Sequence, residues 1–417
     1  MEAADTHRTI DAVWRIESAR IIAGLTRIVR DVAIAEELAQ DALVVALEQW
    51  PESGIPDNPG AWLMTAAKHR AIDLLRRRTL IERKHEEIGR ELEVQELEVP
   101  DLAANIDDDI GDDLLRLVFI SCHPVLSTEA RVALTLKLLG GLTTDEIARA
   151  FLAPEPTIAQ RIVRAKRTLS EKKVPFEVPR GAERDTRLAS VLEVIYLVFN
   201  EGYSATAGED WIRPTLCEEA LRLGRILAEL TPNDPEVHGL VALLEFQASR
   251  LKARVTLTGE PILLLDQNRA RWDQLLIHRG LAALKRVAKI GKESGPYVLQ
   301  AEIAACHARA RTAEATDWPR IASLYDQLAN ASPSPVVELN RAMAHSMAFG
   351  PAAGLKLIDA LANEPALAGY HFLPAARGDL LAKLGRLDEA RIEFNHAASL
   401  TRNVRERNLL LARARSG

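Results

Sequence analysis

The sequence is poor in several things that define other classes of protein. It holds three cysteines in 417 residues, Cys122, Cys217 and Cys306. They are odd in number and far apart, so neither a disulfide framework nor a four-ligand zinc site can be assembled from them. Cys122 stands beside His123, but no second ligand cluster at metal-site spacing accompanies the pair, which reads as a buried thiol and a helix-end histidine. No apolar run approaches the roughly 18 residues that span a bilayer. The opening MEAADTHRTIDAVWRIE lacks the basic-then-apolar plan of a secretory signal, so a cytoplasmic protein with no membrane association is expected. Gly-rich phosphate loops and nucleophile elbows are also missing; the chain offers no catalytic residue, cofactor or metal site and reads as a non-enzyme.

Sheet-forming material is scarce as well. Aromatics make up 5% of the chain, and runs rich in Val, Ile and Thr are few, while Leu and Ala dominate. With 47% apolar residues the chain has ample material for several cores, and an all-α fold of two to four domains is expected. The net charge of −6 says nothing of a nucleic-acid partner, so any basic surface must be local.

Charge is in fact sharply segregated. KHRAIDLLRRR, Lys68 to Arg78, sets five basic residues against one Asp. From Glu86 to Asp113 twelve acidic residues face Arg90 alone. RIVRAKRTLSEKK, Arg161 to Lys173, then sets six basic residues against Glu171. The acidic stretch, which holds Pro100, reads as a solvated linker over 81–112 between two small domains, 7–80 and 113–175. A sharper alternative lays it over a basic face until nucleic acid displaces it, which requires contact, because charges beyond about 8 Å are screened at physiological salt.

In the first domain Val32, Ile34 or Ala35, Leu38, Ala42 and Val45 recur at helical steps, with Glu36, Glu37, Gln40, Asp41 and Glu48 on the other faces. This amphipathic helix is expected to end at Trp50-Pro51. After the loop PESGIPDNPG a new helix carries Trp62 and the basic residues Lys68, Arg70, Arg76 and Arg77. A positive surface beside an aromatic ring suits phosphates and unstacked bases, although a basic helix end with Trp62 in the core fits the same pattern.

The second block is more specific. GGLTTDEIARAFLAPEPTIAQRIVRAKRTL divides into a helix from Thr144 to Phe151, a turn from Leu152 to Pro154 and a helix from about Glu155 to Leu169. Thr143 or Thr144 can cap the first, and Pro156 fits the opening turn of the second. This is a helix-turn-helix. Its amino-terminal Glu155, Thr157, Gln160 and Arg161 suit base edges, and Arg164, Lys166 and Arg167 suit the phosphate backbone.

AEELAQDALVVALEQW, NPGAWLMTAAKHRAIDLLRRR and LSTEARVALTLKLLGGLTTDEIARAFLAPEPTIAQRIVRAKRTL, in that order, resemble regions two and four of bacterial sigma-70-family factors of the extracytoplasmic-function type. The resemblance covers roughly residues 7 to 175. It implies core RNA polymerase and promoter DNA as partners, the polymerase being met at its β′ clamp and β flap. It assigns Leu38, Asp41 and the neighbouring Val45 to the β′ clamp. It assigns Asn58, Trp62, Lys68, Arg70, Arg76 and Arg77 to melting and reading the proximal promoter element. Arg149, Glu155, Thr157, Gln160, Arg161, Arg164 and Lys166 fall to the distal element. The family commonly has a basic residue where this chain has Ala159, and Pro154 and Pro156 bracket Glu155, so the base preference stays open.

Residues 181–417 exceed what such a factor needs. They read as helices separated by Gly, Pro or Asn. Gly378, Gly385, Ala390, Phe394 and Ala397 fall at the small and aromatic positions of a tetratricopeptide-type pair, and Ala353, Leu357, Ala360 and Pro365 repeat the pattern imperfectly. Asn200 and Tyr203 in FNEGY, with Asp266, Arg269 and Trp272 in LLLDQNRARWDQLL, are candidate contacts for a protein or peptide partner, against the simpler reading of caps and packing. The arrangement resembles the subgroup that carries a tetratricopeptide-like extension thought to modulate sigma activity. A helix-turn-helix regulator that binds duplex DNA without polymerase, and senses a ligand or partner through the helical domain, is the competing reading. The block from Trp62 to Arg78 and the helix of Asp41 weigh against it.

Overall fold

Leucine and alanine at helical spacing, interrupted by Gly and Pro, fold as helix almost throughout the computed structural model, which describes residues 3–87 and 110–416 apart from 152, 206, 209, 210 and 257. Most of the acidic stretch, residues 88–109, lies outside the described residues, and with it the proposal that this stretch covers a basic face. The chain divides into two compact units, Met1–Val194 and Ile195–Gly417.

The first unit holds α1 (Ala3–Val29), α2 (Val32–Ser53), α3 (Pro59–Glu87), α4 (Ile110–Ser121), α5 (Thr128–Leu138), α6 (Thr144–Ala150), α7 (Glu155–Glu171) and the start of α8 (Gly181–Tyr203). Asp31 caps α2, its carboxylate accepting from the amides of Ala33 and Ile34 at 2.8 and 3.1 Å. The helix does not stop at Trp50-Pro51. Pro51 sits inside its last turn, and Gly54, at φ +84°, ends it by donating its amide to the Trp50 carbonyl. A proline there sacrifices one backbone bond close to a terminus, where the loss is small.

Ile21, Ile22 and Leu25 of α1, Trp50 of α2 and Leu63 of α3 are buried core residues, and Leu117, Phe119, Leu134 and Leu136 are equally inaccessible. Each such aliphatic side chain contributes about 1.5–3 kcal/mol on burial. The acidic run ends inside this core: Asp113, in the first turn of α4, is buried and paired with Arg27 at 3.2 Å and Arg116 at 2.5 Å. The early part of α8 docks on α4 and the following turn. Ser190 Oγ donates to the Cys122 carbonyl at 2.6 Å and accepts from Arg131.

In the second unit, α9 (Pro214–Leu230), α10 (Pro235–Ser249), α11 (Gln274–Ile290), α12 (Pro296–Arg309), α13 (Trp318–Ala331), α14 (Pro335–Phe349), α15 (Pro351–Ala360), α16 (Phe372–Lys383), α17 (Leu387–Leu400) and α18 (Val404–Ser416) stack largely on their neighbours in sequence. Helices α16 and α17 pack on each other. Gly378 faces Phe394 so closely that an added Cβ would lie 3.1 Å from its ring, and Ala390 and Ala397 are fully buried. Glu236 of α10 accepts from the first amides of α12, Tyr297 at 2.8 Å and Val298 at 3.2 Å. Burial raises the carboxyl of Glu236 above its ordinary range against the pull of those amides. Two short parallel strands, β1 (Ala207–Gly208) and β2 (Arg402–Asn403), join the beginning of this unit to its end. Asn403 adds a bond from Nδ2 to the Ala205 carbonyl at 3.1 Å.

Candidate nucleic-acid interface

The candidate interface residues are set out on two packed helix pairs, α2 with α3 and α6 with α7. In the first, Asn58 starts α3: its Oδ1 accepts from the amide of Ala61 at 3.1 Å. Trp62, half-buried, meets the buried Trp50 edge-to-face with ring centroids 5.3 Å apart. Its ring therefore anchors α3 to α2 and only part of it remains to meet a base. Arg76 and Arg77 are exposed and Lys68 is half-buried. Arg70 Nη1 lies 3.0 Å from Asp41 Oδ2, with both side chains 41–48% exposed, so a residue assigned to promoter DNA and one assigned to polymerase form one surface ion pair. On α2, Leu38 is 8% exposed, within the core, and Val45 is half-buried.

The second pair is a helix-turn-helix. Thr143, rather than Thr144, caps α6 in a reciprocal capping box: its hydroxyl accepts from the Glu146 amide at 3.1 Å, and its own amide donates to the Glu146 carboxylate at 2.8 Å. Burial opposes ionisation of Glu146, but the Thr143 bonds and nearby Arg15 and Arg149 outweigh it and hold the carboxyl below its usual range. Arg149 leans back on Asp145 at 2.8 Å. Ile147 and Ala148 of α6 and Ile158, Ile162 and Ala165 of α7 are buried, and Phe151 is half-buried. The opposite face of α7 presents Glu155, Thr157, Gln160 and Arg164 to solvent, with Arg161 half-buried beside them. A groove of about 420 Å³ runs between this face and the start of α5, lined by Ser127, Glu129, Thr157, Gln160, Arg161 and Arg164.

Lys166 is placed otherwise than a phosphate contact requires. It is 18% exposed and ion-paired with Glu36 of α2, which is itself 4% exposed and lies 3.8 Å from Lys137. Gln40 donates to the same carboxylate at 2.9 Å. Ser170 reaches Asp31 at 3.1 Å. The carboxyl-terminal half of α7 is thus tied to the helix assigned to the polymerase, and its amino-terminal half is left clear. The expectation that Glu36 lies on a solvated face is corrected. Helical period alone puts it there, whereas in the fold Lys137 of α5 and Lys166 of α7 meet it.

The candidate contacts of the carboxyl-terminal unit are mostly structural. Trp272 is 3% exposed and cannot be a surface contact: its indole packs in a core with Phe246 and Ile277, and the Arg250 and Arg269 guanidinium groups lie 5.6 and 4.9 Å from the ring centroid. Arg269 clamps the loop after α12, donating to the carbonyls of His307 and Ala310 at 2.6 and 2.8 Å and to Thr316 Oγ1 at 2.9 Å. Tyr203 accepts from Arg250 at 2.6 Å with Arg254 stacked 3.5 Å over its ring, and Asn200 is half-buried. Asp266 remains exposed. Burial pushes the thiols of Cys122 and Cys217 up to about 11 and about 12. Among the described residues no three His, Cys, Asp or Glu side chains gather as a metal site, and no helix is long and apolar enough to cross a membrane.

Comparison with known proteins agrees with this geometry. Residues 16–81 match sigma-70 region 2, residues 116–169 match sigma-70 region 4, and residues 187–288 match a family of unknown function. The chain is 42% identical over 383 residues to an uncharacterized protein of Rhizobium meliloti, covering 92% of this chain and 89% of that one. It is 28% identical over 162 residues to the ECF RNA polymerase sigma factor SigK of a Mycobacterium species, covering 36% of this chain and 76% of SigK. A probable ECF RNA polymerase sigma factor, SigI of Mycobacterium tuberculosis, is 24% identical over 182 residues, covering 43% of this chain and 60% of SigI. No solved structure matches. The chain belongs to the sigma-70 family as an RNA polymerase sigma factor of the extracytoplasmic-function type, with a helical carboxyl-terminal extension.

Proposed function

We propose that this chain binds core RNA polymerase, carries it to a promoter and opens the duplex there, with the carboxyl-terminal unit modulating that activity. The observation that carries the reading is the pairing, in one unit, of a basic helix beside a partly accessible Trp62 with a helix-turn-helix whose leading residues face solvent. In this reading the exposed flank of α2 around Asp41 and Val45, with Leu38 behind it, meets the β′ clamp, and region four, 113–175, meets the β flap. Asn58, Trp62, Lys68, Arg70, Arg76 and Arg77 serve melting and the proximal element. Arg149, Glu155, Thr157, Gln160, Arg161 and Arg164 serve the distal element, and Lys166 joins them once it leaves Glu36. Phosphate contacts supply affinity and position, and the residues at the start of α7 supply base choice.

The test is reconstituted transcription with core polymerase, using the chain with and without residues 181–417. Promoter-specific transcripts that require both core and this chain are expected, at a level that changes when the extension is removed. Failure of both forms to bind core in pull-down rejects the reading and favours a regulator that acts on duplex DNA alone.

A further inference from the structure

The loop that reads as a polar contact cluster in the sequence forms the mouth of a pocket in the second unit. The pocket measures about 630 Å³, within the roughly 300–1,000 Å³ of small-molecule sites. Its walls are apolar: Ile321 and Tyr325 of α13, Met343 and Met347 of α14, and Leu409 and Leu410 of α18. Methionine side chains accommodate irregular apolar shapes. At the lip Leu263, Leu265 and Phe372 are 40–42% exposed, apolar surface left in water that an apolar guest would cover.

The charged groups of the lining differ in how fully they are engaged. Glu406 accepts from Thr401 Oγ1 at 2.6 Å and lies 3.0 Å from His371 Nε2, both contacts falling on Oε2, and Asp266 at the mouth is exposed. Lys383 and Arg413 both lean on the single carboxylate of Asp379, Lys383 at 2.8 Å. Burial opposes ionisation of Asp379, but these two cations outweigh it and hold the carboxyl below its ordinary range. The triad therefore carries one net positive charge and retains unused N–H donors on both cations.

We propose that this pocket binds an amphipathic monocarboxylic acid, its aliphatic or aromatic body among Met343, Met347 and Tyr325 and its carboxylate on Lys383 and Arg413. Apolar walls with one convergent cationic end are the arrangement that orients such a molecule. Binding requires no polymerase, so its success or failure is read separately from that of the regulatory proposal.

The experiment is fluorescence titration of the full chain with dansylated undecanoic acid, followed by displacement with decanoate or decanol. Saturable binding of one probe per chain is expected, with decanol displacing it at least about tenfold less effectively than decanoate, as fits the loss of a charge-assisted bond. Lys383→Gln, at a side chain 41% exposed, should weaken the acid about tenfold and leave decanol unchanged. Met347→Trp, which fills the pocket, should abolish binding with the thermal transition retained. Absence of saturable binding, equal displacement by acid and alcohol, or indifference to Lys383→Gln overturns the proposal. Displacement by an amidated leucine-rich peptide as effective as that by decanoate overturns it in favour of a peptide groove.

Discussion

Lys166, in the second helix of the helix-turn-helix, is ion-paired with the buried Glu36 of α2, and Lys137 of α5 approaches the same carboxylate at 3.8 Å. Three elements separated by about 100 residues or more of sequence, or by 29 in the case of α5 and α7, thus share one charge. A buried carboxylate needs such partners, since removing one leaves a desolvated charge. In this arrangement Lys166, proposed for the distal promoter element, is held against Glu36 instead.

Glu36→Gln keeps the bond to Gln40 and removes the charge that holds Lys166. Binding of the free chain to promoter duplex, measured by fluorescence anisotropy at fixed salt, is expected to tighten several-fold, with a steeper salt dependence as one more lysine meets phosphate. Lys166→Met should do the opposite to DNA. It should also destabilise the first unit by about 2 kcal/mol, less than the 3–5 kcal/mol for a fully buried pair, because Lys137 remains.

The Asp41 and Arg70 pair is solvated on both sides, and exposed pairs contribute about 1 kcal/mol or less. Asp41→Ala is therefore expected to leave the thermal transition of the chain almost unchanged while weakening core polymerase in pull-down. Arg161→Ala should lower promoter use with core binding intact. Loss of DNA affinity in both variants with no polymerase present would point to an independent regulator.

Acid should loosen the second unit through His307. Burial, assisted by Arg250 and Arg269, lowers its imidazole to about 3, so the folded unit keeps it neutral while the unfolded chain protonates near its ordinary value. Stability is then fully present above pH of about 6.5 and falls as pH drops toward 3, by at most about 1.4 kcal/mol per unit. Glu236 and Glu245, both raised by burial, act in the opposite sense, losing stability as pH rises from the unfolded carboxyl value. Comparing unfolding midpoints of the natural chain and His307→Phe between pH 4 and 7, as a range chosen around those about 3 and about 6.5 values, should isolate the histidine: the natural chain loses ground to the variant on acidification.

Helices α10 and α12 touch at Gly239, where an added Cβ would lie 2.7 Å from the Val298 amide. Gly239→Ala should shift the backbone of α12 and cost about 1–3 kcal/mol, seen as a lower melting temperature of the second unit.

Thiols held as high as those of Cys122 and Cys217 are un-ionised at neutral pH and buried. Reaction with a thiol-specific disulfide reagent should be slow until denaturant is added.

The parts legible in the sequence are those whose signals are local. Cap, turn and apolar period mark the helix-turn-helix to within a residue or two, with α6 ending at Ala150 and α7 running to Glu171. The small-residue pattern marks α16 and α17. The exposed leading face of α7 follows from the same period. What escaped reading depends on partners distant in the chain. Glu36 looks solvated among the residues of its own helix, and its lysines lie at 137 and 166. Trp272 and Arg269 sit in a polar run that resembles a surface, yet Trp272 fills a core and Arg269 binds carbonyls 38 and 41 residues away. Asp113 belongs to a strongly acidic run and ends buried because Arg27 and Arg116 meet it.

The β1 and β2 pairing has a bearing on how the protein is born. Ala207 cannot meet Arg402 until the ribosome has made the intervening chain. The end of α7 at Glu171 emerges about 230 residues earlier, which at about 5–20 residues per second is a lead of roughly 10–50 seconds. Each new molecule therefore has the residues that match sigma-70 regions 2 and 4 synthesised well before the two strands can pair. The clasp between strands acts as a clock on when the second unit first exists as a finished body.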